Sequence, residues 1–389
     1  MSCRAEFEDI CPYDDSEFKD KMAHLVNEPG FEHAVRYVMP DVDYAKFVGQ
    51  LKEISTKEEF QHRIMWGFLE MLAEKTTAGI TYSGLENVKD KGAFTYISNH
   101  RDIVLDASFL NLGFLRTGMP TTEVAIGNNL LIFDWIRDLV LLNNSFIVKR
   151  NLRVVQALEA ARQLSGYIHY AISEKHQSAW IAQREGRAKD SNDVTQESLI
   201  KMMTLAGNGT VRQRLEEINL VPVSISYEYD PNDYLKAREF LLRRNDPDFK
   251  KTQRDDLFSM ETGLLQFKGR VHFAIGKCIN PRLEELPIDA DRSEVVKAAC
   301  NMIDLSIHRG YEIFPVNYIA YDLLLNGETF ASRYTASEVD DFNRYIDRQL
   351  AKVDVPELTE DDMQYMRHMM LTMYANPLKN KLHAEAAGY

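Results

Sequence analysis

Residues Ala93–Leu115 read AFTYISNHRDIVLDASFLNLGFL, and three textures follow one another within them. "AFTYIS" is a short aromatic and β-branched run of the kind that forms a strand. "NHRD" is polar. "IVLDASFLNLGFL" carries apolar residues at helix spacing, and Asp102 stands where its side chain would cap the helix N-terminus. Strand, turn and helix in that order put His100 on the turn, at the carboxyl end of a strand. In open α/β sheets that edge is where ligands bind. His100-Arg101-Asp102 also matches the catalytic loop of a protein kinase, but the rest of that signature is missing. The position for a magnesium-binding Asn is Ala107, and the nearest approaches to Asp-Phe-Gly are Asp248-Phe249-Lys250 and Asp341-Phe342-Asn343. No G-x-G-x-x-G loop precedes His100, and the kinase reading is rejected.

Outward from this unit, "ITYSGLENV", "SFIVKR", "LVPVSISYEY" and "VHFAIGKCI" are further short strand-like runs, with helical patterns such as "RVVQALEAARQL" and "QESLIKMMTLAG" between several of them. Strands alternating with helices predict an α/β fold: a mixed, partly parallel sheet flanked by helices. Residues 1–78 are expected to be a helical preface with no chemical signature of its own; Phe60, Ile64, Phe68, Met71 and Leu72 recur there at helix spacing. Residues 79–282 hold the sheet, and 283–389 form a helical C-terminal extension in which Thr359 and Asp362 suit a capping box. The stretch 230–256 mixes both charge signs and is expected to be an exposed insertion with a solvated face. No internal repeat or low-complexity tract is present.

The chain has 389 residues, long for one core, so one large domain with appendages or two domains are expected. A formal charge of −13 argues against nucleic acid as the main partner, though not against a local basic pocket. The four cysteines (Cys3, Cys11, Cys278, Cys300) show neither metal-ligand spacing nor disulfide density, which suits a reducing cytoplasm. No apolar run reaches the roughly 18 residues that span a bilayer. The best candidate, "LLIFDWIRDLVLLNNSFIV", contains Asp134, Arg137 and Asp138. Core packing is the default for its Trp135-centred cluster, and an amphipathic segment that dips into a membrane is the alternative. The acidic N-terminus has no signal-peptide pattern, so a soluble or peripheral protein is expected.

Four blocks between about residues 80 and 280 resemble, in order, those of the glycerolipid acyltransferase superfamily, which includes glycerol-3-phosphate and lysophosphatidate acyltransferases. The first is Asn99-His100 with Asp106; the second is "NSFIVKR", Asn144 to Arg150. The third is "REGRAK", Arg184 to Lys189, and the fourth is "LVPVSISYE", Leu220 to Glu228, with Pro222 at its Val-Pro-Val. Five residues separate His100 from Asp106 where the family has four, and Asp102 lies closer, so either carboxylate is available to orient the ring; Asp106 is preferred. Asn144 replaces the Gly that opens the family's second block.

The resemblance implies a fatty acyl transfer from a coenzyme A or acyl-carrier-protein thioester to a hydroxyl of a glycerol phosphate in phospholipid biosynthesis. An imidazole, with a pKa of about 6.5, is suited to take the hydroxyl proton at neutral pH, and a carboxylate behind it fixes the tautomer. His100 is therefore the expected base. Guanidinium groups match phosphate bidentately, which makes Arg150 and Arg187 the first candidates for the acceptor phosphate. Glu185 and Gly186 belong to the same block; Lys149, Arg184 and Arg101 are secondary candidates. Pro222 is expected to end or edge a strand that, in the family, borders the acyl channel. Arg101 directly after the His, together with the long C-terminal extension, favours glycerol 3-phosphate over lysophosphatidate, dihydroxyacetone phosphate or an amino-acid lipid. A non-catalytic lipid-binding relative is the rival of another class. No metal or tightly bound cofactor is required, and the expected location is the cytoplasm, peripheral on the inner face of the membrane.

Overall fold

A computed structural model describes residues 4–387, so the reading of Cys3 lies outside the described residues. Seven strands form one sheet: β1 Ile80–Ser83, β2 Thr95–Ser98, β3 Glu123–Gly127, β4 Ser145–Val148, β5 Ala179–Ala182, β6 Leu220–Tyr227 and β7 Val271–Ile275. Their order is β1-β7-β6-β2-β5-β3-β4. β2 to β6 run parallel to one another, β6 and β7 pair antiparallel, and β1 runs with β7. The fold is α/β with a mixed, mostly parallel sheet flanked by helices.

The central strands are covered on both faces, and all eight residues of β6 are buried. Their side chains alternate between two cores, as the period of two requires. Ile97 and Leu220 face a core with Tyr167, Ile200 and Ile303, while Tyr96, Val221 and Val223 face another with Leu105, Phe109 and Phe273. The outer edge of β4 is protected: the Ile147 amide donates to the Ile10 carbonyl at 2.8 Å, so an N-terminal segment shields that edge.

Pro222 does not lie at an edge. It sits inside the central strand β6, opposite Ile97 of β2. Its carbonyl accepts from Gly276 at 2.8 Å, but it has no N–H to return. The antiparallel ladder with β7, which runs from Val223 to Tyr227, stops there for that reason. Pro222 ends a pairing rather than a strand, and it is absent from the cavity wall described below.

The stretch 230–256 is also corrected. Its first half is the helix Asp233–Asn245, whose Tyr234, Ala237 and Leu241 are buried in a core with Phe314, Phe342, Met366 and Met370 of the C-terminal helices. The mixed charges that resemble a solvated face pair inward. Lys236 bonds Asp230, Asp233 accepts from Tyr345 (2.6 Å) and Tyr374 (2.7 Å), and Glu239 meets Lys189 at 3.1 Å. Only the segment after Asn245 is largely exposed.

N-terminal helices, among them Phe18–Leu25, Pro29–Val38 and Tyr44–Glu53, gather around Phe18, Phe31, Leu51 and Phe60, while the Trp66–Thr76 helix packs Leu69 and Leu72 into the core with Leu105 and Phe109. The Asp134–Leu142 helix joins this cluster through Leu142, and its Asp138 accepts from Tyr13 at 2.6 Å. Among the described residues, no helix is long and apolar enough to cross a membrane.

Candidate active site

The parallel strands β2 to β6 deliver their carboxyl ends to one edge of the sheet, and that edge carries the polar blocks of the sequence. Beyond β2, Asn99 bridges to β6: its side chain donates to the Ile225 carbonyl (2.9 Å) and accepts from the Ile225 amide (2.8 Å). These two hydrogen bonds clamp the start of the turn. His100 follows, with its ring edge-on to Trp180 at a centroid distance of 5.9 Å.

Asp106, not Asp102, faces the imidazole. Its Oδ2 is 2.8 Å from His100 Nδ1 and accepts the amides of Arg101 (2.7 Å) and Asp102 (3.1 Å), while Oδ1 accepts the Tyr227 hydroxyl at 3.0 Å. A carboxylate so surrounded by donors acts as an acceptor. Nδ1 therefore carries the ring proton, and Nε2 keeps its lone pair for the cavity. The extra residue between His and Asp is absorbed in the turn at Arg101–Val104, which delivers Asp106 to the first turn of the Leu105–Arg116 helix. Asp102 is a turn cap, its Oδ1 accepting from Val104 (2.9 Å) and Leu105 (2.7 Å). Burial and the nearby Asp106 push its pKa up. A Cβ at Gly263 would stand 1.9 Å from Asp102 Oδ2, so only glycine lets the Gln253–Leu265 helix close over it.

Arg101 turns away from the cavity. Only 4% exposed, it makes a two-point pair with Asp193, at 3.0 Å and 2.6 Å. Asp193 also takes the Tyr311 hydroxyl, and its carbonyl accepts from His308 Nε2 at 2.6 Å. The pair joins the His100 turn to the loop after β5 and to the Arg292–Gly310 helix, and it leaves no guanidinium face for a ligand. The expectation of Arg101 as a substrate cation does not fit this placement.

His100 lines a cavity of about 2090 Å³, some twice the upper end of ordinary ligand pockets. Lys149, Arg150, Arg184, Glu185, Gly186 and Arg187 line it too, so the second and third sequence blocks meet the first. Among its lining residues cations outnumber carboxylates, although the chain as a whole carries −13. Lys149 is engaged by Asp9 and by Gln163 (2.9 Å). Arg150 faces Glu185 across 3.7 Å, an open pair at the rim. The Arg184 Nε is buried with no hydrogen-bond partner among the described residues. Arg187, 6% exposed, donates to the Asn232 side-chain oxygen at 3.1 Å, in the amide orientation that also brings the Asn232 nitrogen to the Ser259 carbonyl at 3.0 Å. Gly186 turns the chain there with a left-handed φ of 68°. Burial, and then Arg187, bring the Lys189 ammonium down to about 7.

The opposite wall was invisible in the sequence. Phe60, Ile64, Phe68 and Met71, the residues whose spacing predicts an N-terminal helix, all line this cavity. A turn of π-helix at Gln61–Met65 lies within that run. The signal was present as apolar periodicity, but periodicity does not say whether a face covers a core or a cavity. Tyr227 on Asp106 was likewise missed, although it closes the fourth block's strand.

No protein-family model matches the chain, and no curated protein matches it. Among solved structures it is similar to the crystal structure of the 1-acyl-sn-glycerophosphate (LPA) acyltransferase, PlsC, from Thermotoga maritima. The two share 12% sequence identity over 72% of this chain and 98% of that one, with a TM-score of 0.36. A likeness of that size leaves family and activity to be argued from the residues.

Proposed function

We propose that the protein is an O-acyltransferase that moves a fatty acyl group from a coenzyme A or acyl-carrier-protein thioester to a hydroxyl of glycerol 3-phosphate. The observation that carries this reading is the His100–Asp106 pair, 2.8 Å apart, on the wall of a large cavity with both cationic and apolar linings. His100 Nε2 takes the acceptor's hydroxyl proton as that oxygen attacks the thioester carbonyl carbon. Asp106 stabilises the imidazolium, and a general base so held contributes about 10²- to 10⁴-fold. The tetrahedral intermediate collapses with cleavage of the carbon–sulfur bond, and the departing thiolate takes the proton back from Nε2. Arg150, Arg184 and Arg187 hold the acceptor phosphate, and the apolar wall at Phe60, Ile64, Phe68 and Met71 receives the acyl chain. The thioester is a co-substrate, and the four ordered sequence blocks support the same assignment. The site acts in phospholipid synthesis, on a protein held peripherally at the cytoplasmic face of the membrane.

A second reading replaces glycerol 3-phosphate by lysophosphatidate. Two observations favour it: Arg101, a reason to prefer the smaller acceptor, is sequestered by Asp193, and the cavity is larger than one acyl chain and a glycerol phosphate need. Direct competition between the two acceptors, at matched concentrations with one radiolabelled acyl thioester, decides. Lysophosphatidate as the labelled product is expected; phosphatidate alone overturns the choice of acceptor, and no labelled product from any acceptor overturns the acyltransferase reading.

A further inference from the structure

The helix Val154–Ser173 begins beside the cavity and buries nothing around its first turn. Val154 is 86% exposed, Val155 72% and Leu158 47%. On a helix these three, with Arg162, fall within an arc of about 100°. Apolar residues exposed singly are ordinary, but three on one helix face form a patch of the kind that marks an interaction surface. The adjoining arc, Ala157, Ala160, Ala161 and Leu164, lines the cavity together with Leu152 just ahead of the helix. The same two turns are thus cavity wall on one side and uncovered apolar surface on the other.

The charge around the patch is opposite to that of the molecule. Between Lys149 and Gln163 the chain carries Lys149, Arg150, Arg153 and Arg162 against Glu159 alone, in a protein of net −13. Arg153 and Arg162 are exposed and make no ion pair among the described residues. An exposed aliphatic face flanked by unpaired guanidiniums is the pattern that lies on an anionic lipid surface, where the aliphatic groups enter the headgroup boundary and the cations neutralise the lipids.

We propose that the first two turns of this helix, at Val154, Val155 and Leu158 with Arg153 and Arg162, dock the protein on an anionic bilayer with the cavity opening at the lipid surface. The choice of a lipid partner rests on the acyltransferase reading, since product or acceptor would pass between cavity and bilayer. The binding itself is independent of turnover. An acidic carrier protein would use the same cations but has no need of Val154 and Val155. A second copy of this chain, seated patch to patch, would set Arg153 and Arg162 against the same cations of its partner.

The test is flotation of the full chain with vesicles of phosphatidylcholine alone and of phosphatidylcholine with phosphatidylglycerol. Binding to the anionic vesicles only is expected. Val154→Asp with Val155→Asp should weaken it at least about tenfold, and Arg153→Gln and Arg162→Gln about fivefold each. Unchanged melting temperatures identify these as surface effects, and unchanged turnover on a water-soluble short-chain thioester separates docking from chemistry. Equal binding by the Val154/Val155 variant, or its conversion from dimer to monomer with vesicle binding intact, overturns the proposal. Absence of acyl transfer by the wild-type protein with vesicle binding present would overturn the function but not the docking surface.

Discussion

At the scale of single residues, the arrangement around His100 separates groups that the sequence places side by side. Asp102 and Asp106 are four positions apart and both accept turn amides, yet only Asp106 also accepts the imidazole N–H. His100→Ala is expected to lower turnover at least about 100-fold with an unchanged melting temperature, because it removes the base from an otherwise intact cavity wall. Asp106→Asn should approach the same loss, since an amide no longer sets the ring tautomer. Asp102→Ala should instead cost about 1 kcal/mol of stability, the ordinary worth of a helix cap, with turnover largely kept. Measuring both quantities for all three variants checks the division; a dead enzyme from Asp102→Ala with active Asp106→Asn would reverse it. The arginines divide in the same way. Replacing Arg150 or Arg187 with Lys should raise the acceptor KM far more than the thioester KM, because lysine cannot reproduce a two-point phosphate contact. Arg101→Gln strands the buried Asp193, so about 3–5 kcal/mol of stability should go, with no selective change in either KM.

At the scale of elements, the Asp233–Asn245 helix shows why a charged stretch need not be a surface. Asp233 is fully buried among Tyr345, Tyr374 and Gln349, which tie two C-terminal helices to it. Burial raises its pKa to about 6 against the pull of those hydrogen bonds. The folded state then keeps a proton, between about pH 4 and 6, that the unfolded chain has released. The contribution of Asp233 to stability is full below about pH 4 and is lost as the pH rises through 6. The melting temperature of wild type minus that of Asp233→Asn should therefore fall between pH 4 and pH 7. A difference that stays constant across that range would mean that Asp233 is ionised throughout.

At the scale of the molecule, the sheet assembles one working edge from five parallel strands, and the N-terminal helices close it with an apolar wall. The proposed membrane contact is made by the Val154–Leu158 face, and among the described residues no helix is long and apolar enough to cross a bilayer. High salt or alkaline washing should release the protein from membranes without detergent, as cation–lipid attraction is screened over about 8–10 Å at ordinary ionic strength. Retention that only detergent breaks would point to deeper insertion than the Val154–Leu158 face provides.

The strand–turn–helix unit at Ala93–Leu115 and the α/β alternation around it are legible in the sequence alone, because strand and helix periods are local and each is written within a dozen residues. The cations that meet at the cavity are legible to the same degree, as blocks placed after strands, once parallel pairing puts strand ends on one edge. Which carboxylate faces His100, and where Arg101 points, are not. Asp193 lies 92 residues from Arg101 and Tyr227 lies 121 from Asp106, and only the folded chain brings those partners within hydrogen-bond reach. The helix at Asp233 and the wall at Phe60–Met71 escaped for one reason: a sequence pattern tells which face of an element is apolar or charged. What that face meets is decided by packing between elements far apart in the chain.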